Sequence, residues 1–104
     1  MMTDKKEVEE TIDIENSGNT VEVEMMGATL LSLAIRGDGS AEYVLDSKLT
    51  RSDTWIQDVD TTYTGSADYD DTLRTAMPKV RVRCTSGTGT PDDTATVTLS
   101  AGGG

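Results

Sequence analysis

The side chains of this 104-residue chain that could support chemistry are mostly carboxylates, and histidine is absent. Hydrolase triads therefore lack their usual base, and a zinc site lacks one of its common ligands. Cys84 is the only cysteine, so no disulfide can form within the chain. Because Cys84 is in phase with Val80 and Val82, we expect it to be a small core residue. These features predict a non-enzymatic protein that needs no cofactor.

The residues best suited to hold a cation are the acids of a predicted loop over residues 65–71. Asp68, Asp70 and Asp71 lie close together there, and calcium takes about six to eight oxygen ligands. The EF-hand spacing is absent, because a window that opens at Asp68 ends on Lys79, where a bidentate glutamate is needed. Since the chain has 19 acidic residues, such a cluster arises readily from composition, and we expect no specific site for calcium or another cation.

The net charge of −10 is unevenly distributed along the chain. Residues 1–71 carry 17 acidic and 5 basic residues, whereas residues 72–104 carry 2 acidic and 4 basic ones. An acidic face and a mildly basic strand in one small domain suit head-to-tail docking between copies. Free nucleic acid is not an expected partner, because phosphate binding needs a clustered basic surface. The acid excess also predicts a salt-loving host, since concentrated salt screens the self-repulsion.

Alternating apolar and polar residues predict that the chain consists of β-strands. The clearest strands cover residues 79–84 and 94–101, and the turn-rich segment between them predicts a hairpin. Another hairpin is expected at residues 37–40, Gly-Asp-Gly-Ser. A single helical turn is expected over residues 71–77, before Pro78. The remaining predicted strands cover residues 8–15, 20–26, 30–36, 42–46 and 54–62, the last with Trp55 and Tyr63 on one face.

Seven short strands separated by turn signals predict an all-β fold. The expected architecture is a small antiparallel β-sandwich or barrel, jelly-roll-like or immunoglobulin-like. We expect a single β domain over residues 1–104, with a flexible arm at residues 1–6 and a flexible tail at residues 102–104. Leu, Ile, Val and Phe make up only about 18% of the residues, so we expect the fold to depend on a partner surface, on concentrated salt or on both.

Charged and apolar residues on strand faces provide candidate contacts with other subunits. Arg81 and Arg83 share the polar face of one predicted strand, and Glu22 and Glu24 share that of another. If the two strands are neighbours, these charges form cross-strand pairs. If they are not, which we prefer slightly, both rows are available to a neighbouring subunit. The interface candidates, including two apolar residues on otherwise polar faces, are Glu22, Glu24, Met26, Leu30, Arg81 and Arg83.

The acidic strands rich in Thr, Asp and Gly, together with residues 79–84, residues 94–101 and the glycine end, resemble small virion proteins of tailed viruses that infect halophilic archaea. The resemblance implies an oligomeric β-rich module without catalysis. Such modules decorate, cement or project from the capsid, or form parts of the tail. The implied partners are further copies and other virion proteins such as the major capsid protein, and the implied location is the virion, assembled in the host cytoplasm.

The alternative function is a secreted or cell-surface β-sandwich that binds calcium or a carbohydrate. Residues 1–7 are not followed by an apolar stretch, so no secretory signal is expected. The longest apolar-leaning run, residues 27–35, is too short to cross a bilayer as a helix. We therefore expect a soluble protein that does not insert into a membrane.

Overall fold

The computed structural model describes residues 6–51 and 54–102, without the side chains of residues 58–60. This part of the chain forms eight β-strands, so the expected all-β fold is confirmed, with one strand more than expected. No helix in it is long and apolar enough to cross a bilayer. The strands are β1 (Lys6–Asp13), β2 (Thr20–Glu24), β3 (Leu30–Gly37), β4 (Glu42–Lys48), β5 (Ile56–Tyr63), β6 (Asp68–Arg74), β7 (Lys79–Ser86) and β8 (Thr94–Gly102).

The strands form two four-stranded antiparallel sheets. Sheet A has the order β1-β8-β3-β6, and sheet B has the order β2-β7-β4-β5. Consecutive strands alternate between the sheets, except that β4 and β5 are neighbours in sheet B. This arrangement is that of a double-sheet jelly roll. Of the two sandwich types expected, the jelly-roll type is therefore the one observed.

Both expected hairpins are wrong. Strands β3 and β4 lie in different sheets, and so do β7 and β8. The segments between them cross from one sheet to the other at the same end of the sandwich, where Asp38 Oδ2 accepts a hydrogen bond of 2.9 Å from the backbone N of Thr94. Glycine, aspartate and serine favour a reversal of the chain. They do not specify whether the next strand pairs in the same sheet or crosses about 10 Å to the facing one.

The expected helical turn over residues 71–77 is also wrong, because residues 71–74 belong to β6. Tyr69, Asp71 and Leu73 alternate with more exposed residues, as strand geometry requires. The half-buried Asp71 is tolerated on this face because its Oδ2 accepts a 2.7 Å hydrogen bond from the Tyr63 hydroxyl. The alternation of β6 is hard to recognise in the sequence because Asp71, a charged residue, occupies a position on its inward face.

The strand predicted at residues 54–62 is present as β5, but the prediction that Trp55 and Tyr63 share a face is wrong. Val44 pairs with Thr62, while the next residue, Leu45, pairs with Asp58. The three residues that separate these partners in β5 form a bulge, and an odd number of extra residues reverses the face of everything beyond it. Tyr63 therefore packs against the core, whereas Trp55 lies on the outer face of sheet B over Arg81.

The core lies between the facing surfaces of the two sheets. Cys84 is confirmed as a core residue, and Leu30 is half-buried on the outer face of sheet A. The alternation of β7 and β8 places every second residue in this core. The largest fully buried apolar side chains are Tyr43, Ile14, Met25, Leu31, Ile35, Leu99, Val21, Val23, Val80, Val82 and Val97.

The ends of the domain differ in part from expectation. Lys6, expected in the flexible arm, is the first residue of β1 and pairs with Ala101. Gly102, expected in the flexible tail, ends β8 and pairs with Leu30. The rest of the expected arm and tail, residues 1–5 and 103–104, lies outside the described residues.

Candidate functional site

The outer face of sheet B carries a group of charged side chains at its centre. Strands β4 and β7 are neighbours there, with Asp46 opposite Arg81. Leu45 and Val82, which are also opposite each other, point into the core. Successive side chains of a strand alternate between faces. Asp46, Arg81 and Arg83 consequently project together from the outer face.

Asp46 is fully buried even though it projects from the outer face of a sheet. Its Oδ2 accepts hydrogen bonds from Arg81 Nε at 2.9 Å and from Arg83 Nε at 2.8 Å. Its Oδ1 lies 3.5 Å from Arg83 Nη2. The arginine side chains are only 17% and 23% exposed, and they cover the carboxylate. Burial of this charge is offset because both cations contact it directly.

Trp55 and Lys48 complete the group, which we call the arginine cluster: Asp46, Arg81, Arg83, Trp55 and Lys48. The guanidinium carbon of Arg81 lies 4.3 Å from the centre of the Trp55 ring. Lys48 Nζ lies 5.5 Å from the same centre. Guanidinium groups stack favourably on aromatic rings. The ring therefore restricts the orientation of Arg81 and excludes water from one of its faces.

The electrostatics of the arginine cluster follow from this geometry. Burial raises the pKa of Asp46, but the hydrogen bonds and charges of Arg83 and Arg81 outweigh burial and hold the pKa below its usual range. Asp46 is therefore an anion at neutral pH. Two cations contact this one carboxylate, and Lys48 lies over the same ring as Arg81, so the cluster carries more positive than negative charge in a protein whose net charge is −10.

The two rows of interface candidates are brought together, contrary to our preference. Strands β2 and β7 are neighbours, and Glu22 is opposite Arg81. The cross-strand pair that forms is nevertheless between Glu22 and Lys79, at 3.3 Å, since Arg81 is bonded to Asp46. Glu24 lies opposite Lys79 and is exposed. The outer face of sheet B thus has a basic centre with two glutamates along its β2 edge.

The apolar interface candidates lie apart from the arginine cluster. Met26 is 75% exposed, and it lies in the turn after β2 rather than on a strand face. It borders a groove of about 340 Å³, and its backbone has a φ of 50°. The lining residues of this groove are Glu24, Met26, Gly27, Thr50, Pro78 and Lys79. Leu30 lies on the outer face of the other sheet.

The three acidic residues considered for a cation site do not point toward one another. Asp68, Asp70 and Asp71 belong to β6, so Asp71 faces the opposite side from the other two. Asp70 forms an exposed ion pair with Arg36 at 2.9 Å, and Asp71 accepts the Tyr63 hydrogen bond. Within residues 6–51 and 54–102, leaving aside the undescribed side chains of residues 58–60, no group of three or more possible metal ligands occurs.

Two buried polar groups lie in the core near one another. Burial raises the pKa of the Cys84 thiol, whose Sγ lies 3.6 Å from the Ser86 carbonyl oxygen. Burial also raises the pKa of Tyr43 to about 12, with Cys84 and Tyr69 adding to the effect. The Tyr43 hydroxyl has no hydrogen-bond partner among the residues that the structure describes. A thiol with a raised pKa is a poor nucleophile, so the geometry of Cys84 is that of a structural residue.

Sequence reasoning missed Asp46, Lys48 and Trp55, although all three belong to the arginine cluster. Tyr43 and Leu45 point into the core, whereas Asp46 points outward, as many exposed acidic residues do. The signal that could have found Asp46 was the row of two basic residues, Arg81 and Arg83, on a strand distant in the sequence, because their charge is opposite to that of Asp46. Only the strand order makes them neighbours, and only the β5 bulge places the Trp55 ring over them.

No protein-family model matches this sequence, and no curated protein matches it. Solved structures do match its fold. The SPBc2 prophage-derived protein YomS superposes with a TM-score of 0.64, at 14% sequence identity over 96% of both chains. The PBSX exported protein XepA also has a TM-score of 0.64, at 15% identity over 97% of this chain.

The match to XepA covers only 39% of that protein, so the present chain corresponds to one part of it. A mitogen derived from Yersinia pseudotuberculosis superposes with a TM-score of 0.61, at 6% identity over 99% of this chain and 90% of that one. At these identities the likeness is one of fold. Two of these three structural neighbours are phage-derived proteins.

Proposed function

We propose that this chain is a non-enzymatic structural protein of a tailed-virus particle. The observation that carries the proposal is the fold match to the prophage-derived YomS along 96% of both chains. A jelly roll is also an architecture that recurs in viral capsid domains, which is support by analogy of fold. The role would be to decorate, cement or project from the capsid through repeated contacts between copies and with the major capsid protein. A tail component is the variant of the same proposal.

The charge of the protein supports a salt-loving host as part of this proposal. Acidic side chains outnumber basic ones on the edge strands β1, β2 and β6. At low ionic strength these rows repel one another within the domain and between copies, and salt at about 1 M shortens the Debye length to about 3 Å. We expect the melting temperature to rise as potassium chloride is added.

The test of the proposed function is the protein content of purified particles. Mass spectrometry of density-purified virus should find the chain in many copies per particle, and gold-labelled antibodies should place it on the head or on the tail. A chain that is found only outside the particles, in the medium or on the cell surface, would contradict the proposal. XepA is an exported protein, which makes a secreted binding module the second candidate, and that result would favour it.

A further inference from the structure

Within the described residues, the arginine cluster retains hydrogen-bond donors that Asp46 does not use. Asp46 contacts each arginine through Nε, and only Arg83 adds a longer contact, from Nη2. A guanidinium group has five N–H donors. Both arginines therefore keep terminal N–H groups that Asp46 does not use, and Lys48 adds a third positive charge beside them.

These donors are held in place before any partner arrives. Arg81 is fixed between the Asp46 carboxylate and the Trp55 ring. Arg83 is fixed by Asp46 and is only 23% exposed. A side chain that is already ordered loses little conformational entropy on binding, and arginine pairs closely with carboxylates. The arginine cluster is consequently suited to accept carboxylate groups from another molecule.

Unpaired carboxylates lie on the outer face of the opposite sheet. Glu7, Glu9 and Asp13 in β1 are opposite serine and threonine residues of β8, so no cation is next to them in register. Glu9 accepts a hydrogen bond from the Thr98 hydroxyl, and Asp13 accepts one from the backbone N of Glu15. None of the three forms an ion pair with a residue in the described part of the chain. We call these three residues the β1 acidic row.

The geometry points to a contact in which the β1 acidic row of one copy docks on the arginine cluster of a second copy. Within one molecule the two cannot meet, because they project from the outer faces of opposite sheets. Between molecules the spacing of the two rows matches. Glu7 and Glu9 are alternate residues of one strand, as Arg81 and Arg83 are of another, and alternate residues of a strand are about 7 Å apart.

The charge distribution favours this contact over the pairing of sheet edges. The edge strands β1, β2 and β6 carry more acidic than basic side chains, so two copies that approach through these edges repel one another. The proposed contact joins different surfaces of the two copies, so it repeats into a ring or a filament rather than ending at a dimer. This inference rests on the proposed structural function and names the partner of its contact surface.

A charge-exchange experiment tests the contact. Lys48→Glu changes the arginine cluster without removing a ligand of Asp46, and Glu9→Lys changes the β1 acidic row. Sedimentation velocity at about 0.15 M ionic strength should show that each single change raises the dissociation constant for self-association about tenfold. The double variant should return to within about threefold of the unmodified protein, because the exchanged charges again attract.

Asp68→Lys is the matched control, because it makes the same change of charge on the opposite edge of sheet A. We expect Asp68→Lys to leave the dissociation constant within about threefold of the unmodified protein. Circular dichroism confirms that each variant is folded. The inference is overturned if Asp68→Lys acts like Glu9→Lys, if the double variant stays as weak as the single ones, or if the unmodified protein is monomeric. Binding of a labelled DNA duplex that is lost in Lys48→Glu would also overturn it, by assigning the arginine cluster to a phosphate backbone.

The two proposals fail in distinguishable ways. A chain that is present in purified particles but whose self-association ignores the charge exchange leaves the structural function standing and removes the β1 contact. A chain that associates as described but is absent from particles keeps the contact and removes the virion function.

Discussion

The Asp46 carboxylate lies 2.8 Å from Arg83 Nε, and the Asp46 side chain is fully buried on the outer face of sheet B. A charge in this position needs direct partners, because the loss of hydration is otherwise uncompensated. The pair therefore ties β4 to β7 by a side-chain contact in addition to the backbone hydrogen bonds of the sheet. It also fixes the direction of Arg83, on which the proposed contact between copies depends.

Replacing Asp46 with asparagine should destabilise the protein. The change keeps the shape of the side chain but leaves Arg81 and Arg83 without an anion. We expect the free energy of unfolding in urea to fall by about 2–3 kcal/mol, as for other hydrogen bonds to charged groups. Asp70→Asn is the control, since it breaks an exposed pair with Arg36 and should cost less than about 1 kcal/mol. Equal losses of unfolding free energy in Asp46→Asn and Asp70→Asn would contradict the conclusion that the buried Asp46 contacts stabilise the fold more than an exposed ion pair does.

The contribution of Asp46 should depend on pH. Its pKa in the folded protein lies below the ordinary value of 3.8. A depressed pKa gives a contribution that is complete above the unfolded value and is lost as the pH falls through the folded one. The difference in unfolding free energy between the unmodified protein and Asp46→Asn should therefore be constant near neutral pH and shrink below pH 3.8. A difference that stays constant below pH 3.8 would show that folding does not lower the pKa of Asp46.

Replacing Tyr43 with phenylalanine should stabilise the protein. The Tyr43 hydroxyl is buried without a hydrogen-bond partner in the described part of the chain, and the ring contact with Tyr69 at 6.0 Å does not need the hydroxyl. Removing an unsatisfied buried group should add about 1 kcal/mol to the unfolding free energy at neutral pH. The gain should grow in alkali, because a pKa raised from 10.0 to about 12 means that stability is lost as the pH rises through that interval.

Tyr69→Phe is the comparison for Tyr43→Phe. The Tyr69 hydroxyl accepts a 2.8 Å hydrogen bond from the backbone N of Ser66, so its removal should bring no gain. Thermal unfolding at pH 7 and urea unfolding at several alkaline pH values measure both effects. A Tyr43→Phe variant that is less stable than the unmodified protein would mean that the hydroxyl is hydrogen-bonded in solution.

Replacing Met26 with asparagine should stabilise the turn between β2 and β3. Met26 and Gly27 have φ angles of 50° and 83°, and the backbone N of Ala28 donates a 2.8 Å hydrogen bond to the Met25 carbonyl. Positive φ at both central positions favours Asn-Gly. Since left-handed backbone costs most residues about 1–2 kcal/mol, we expect Met26→Asn to raise the melting temperature and Gly27→Ala to lower it. The opposite order of melting temperatures would contradict the turn assignment.

Much of the strand content was predictable, because alternation along a strand is a local property. Val80, Val82 and Cys84 point inward as their spacing requires, and the burial of Cys84 is confirmed. Strand β6 is the exception. Asp71 occupies a position in it where an apolar residue is expected, and the hydrogen-bond partner of Asp71 is Tyr63 in another strand.

The candidate site was less predictable than the strands. Arg81 and Arg83 were recognised as a charged row, but their partner Asp46 was not, because it lies 35 and 37 residues away in the sequence. Trp55 was expected to share a face with Tyr63. The β5 bulge reverses that face and places the ring over Arg81 instead.

The amino-acid sequence by itself determined that this protein is built from antiparallel strands with a small core, since a period of two is written in neighbouring residues and needs no distant contact. The tertiary structure decided which strands are neighbours. Turn residues reverse the chain at 37–40 and 86–93, but burial of apolar faces on both sheets decided that the chain crosses there instead of forming hairpins. That crossing brings β4 beside β7, so Asp46 and its two arginines meet only in the folded jelly roll.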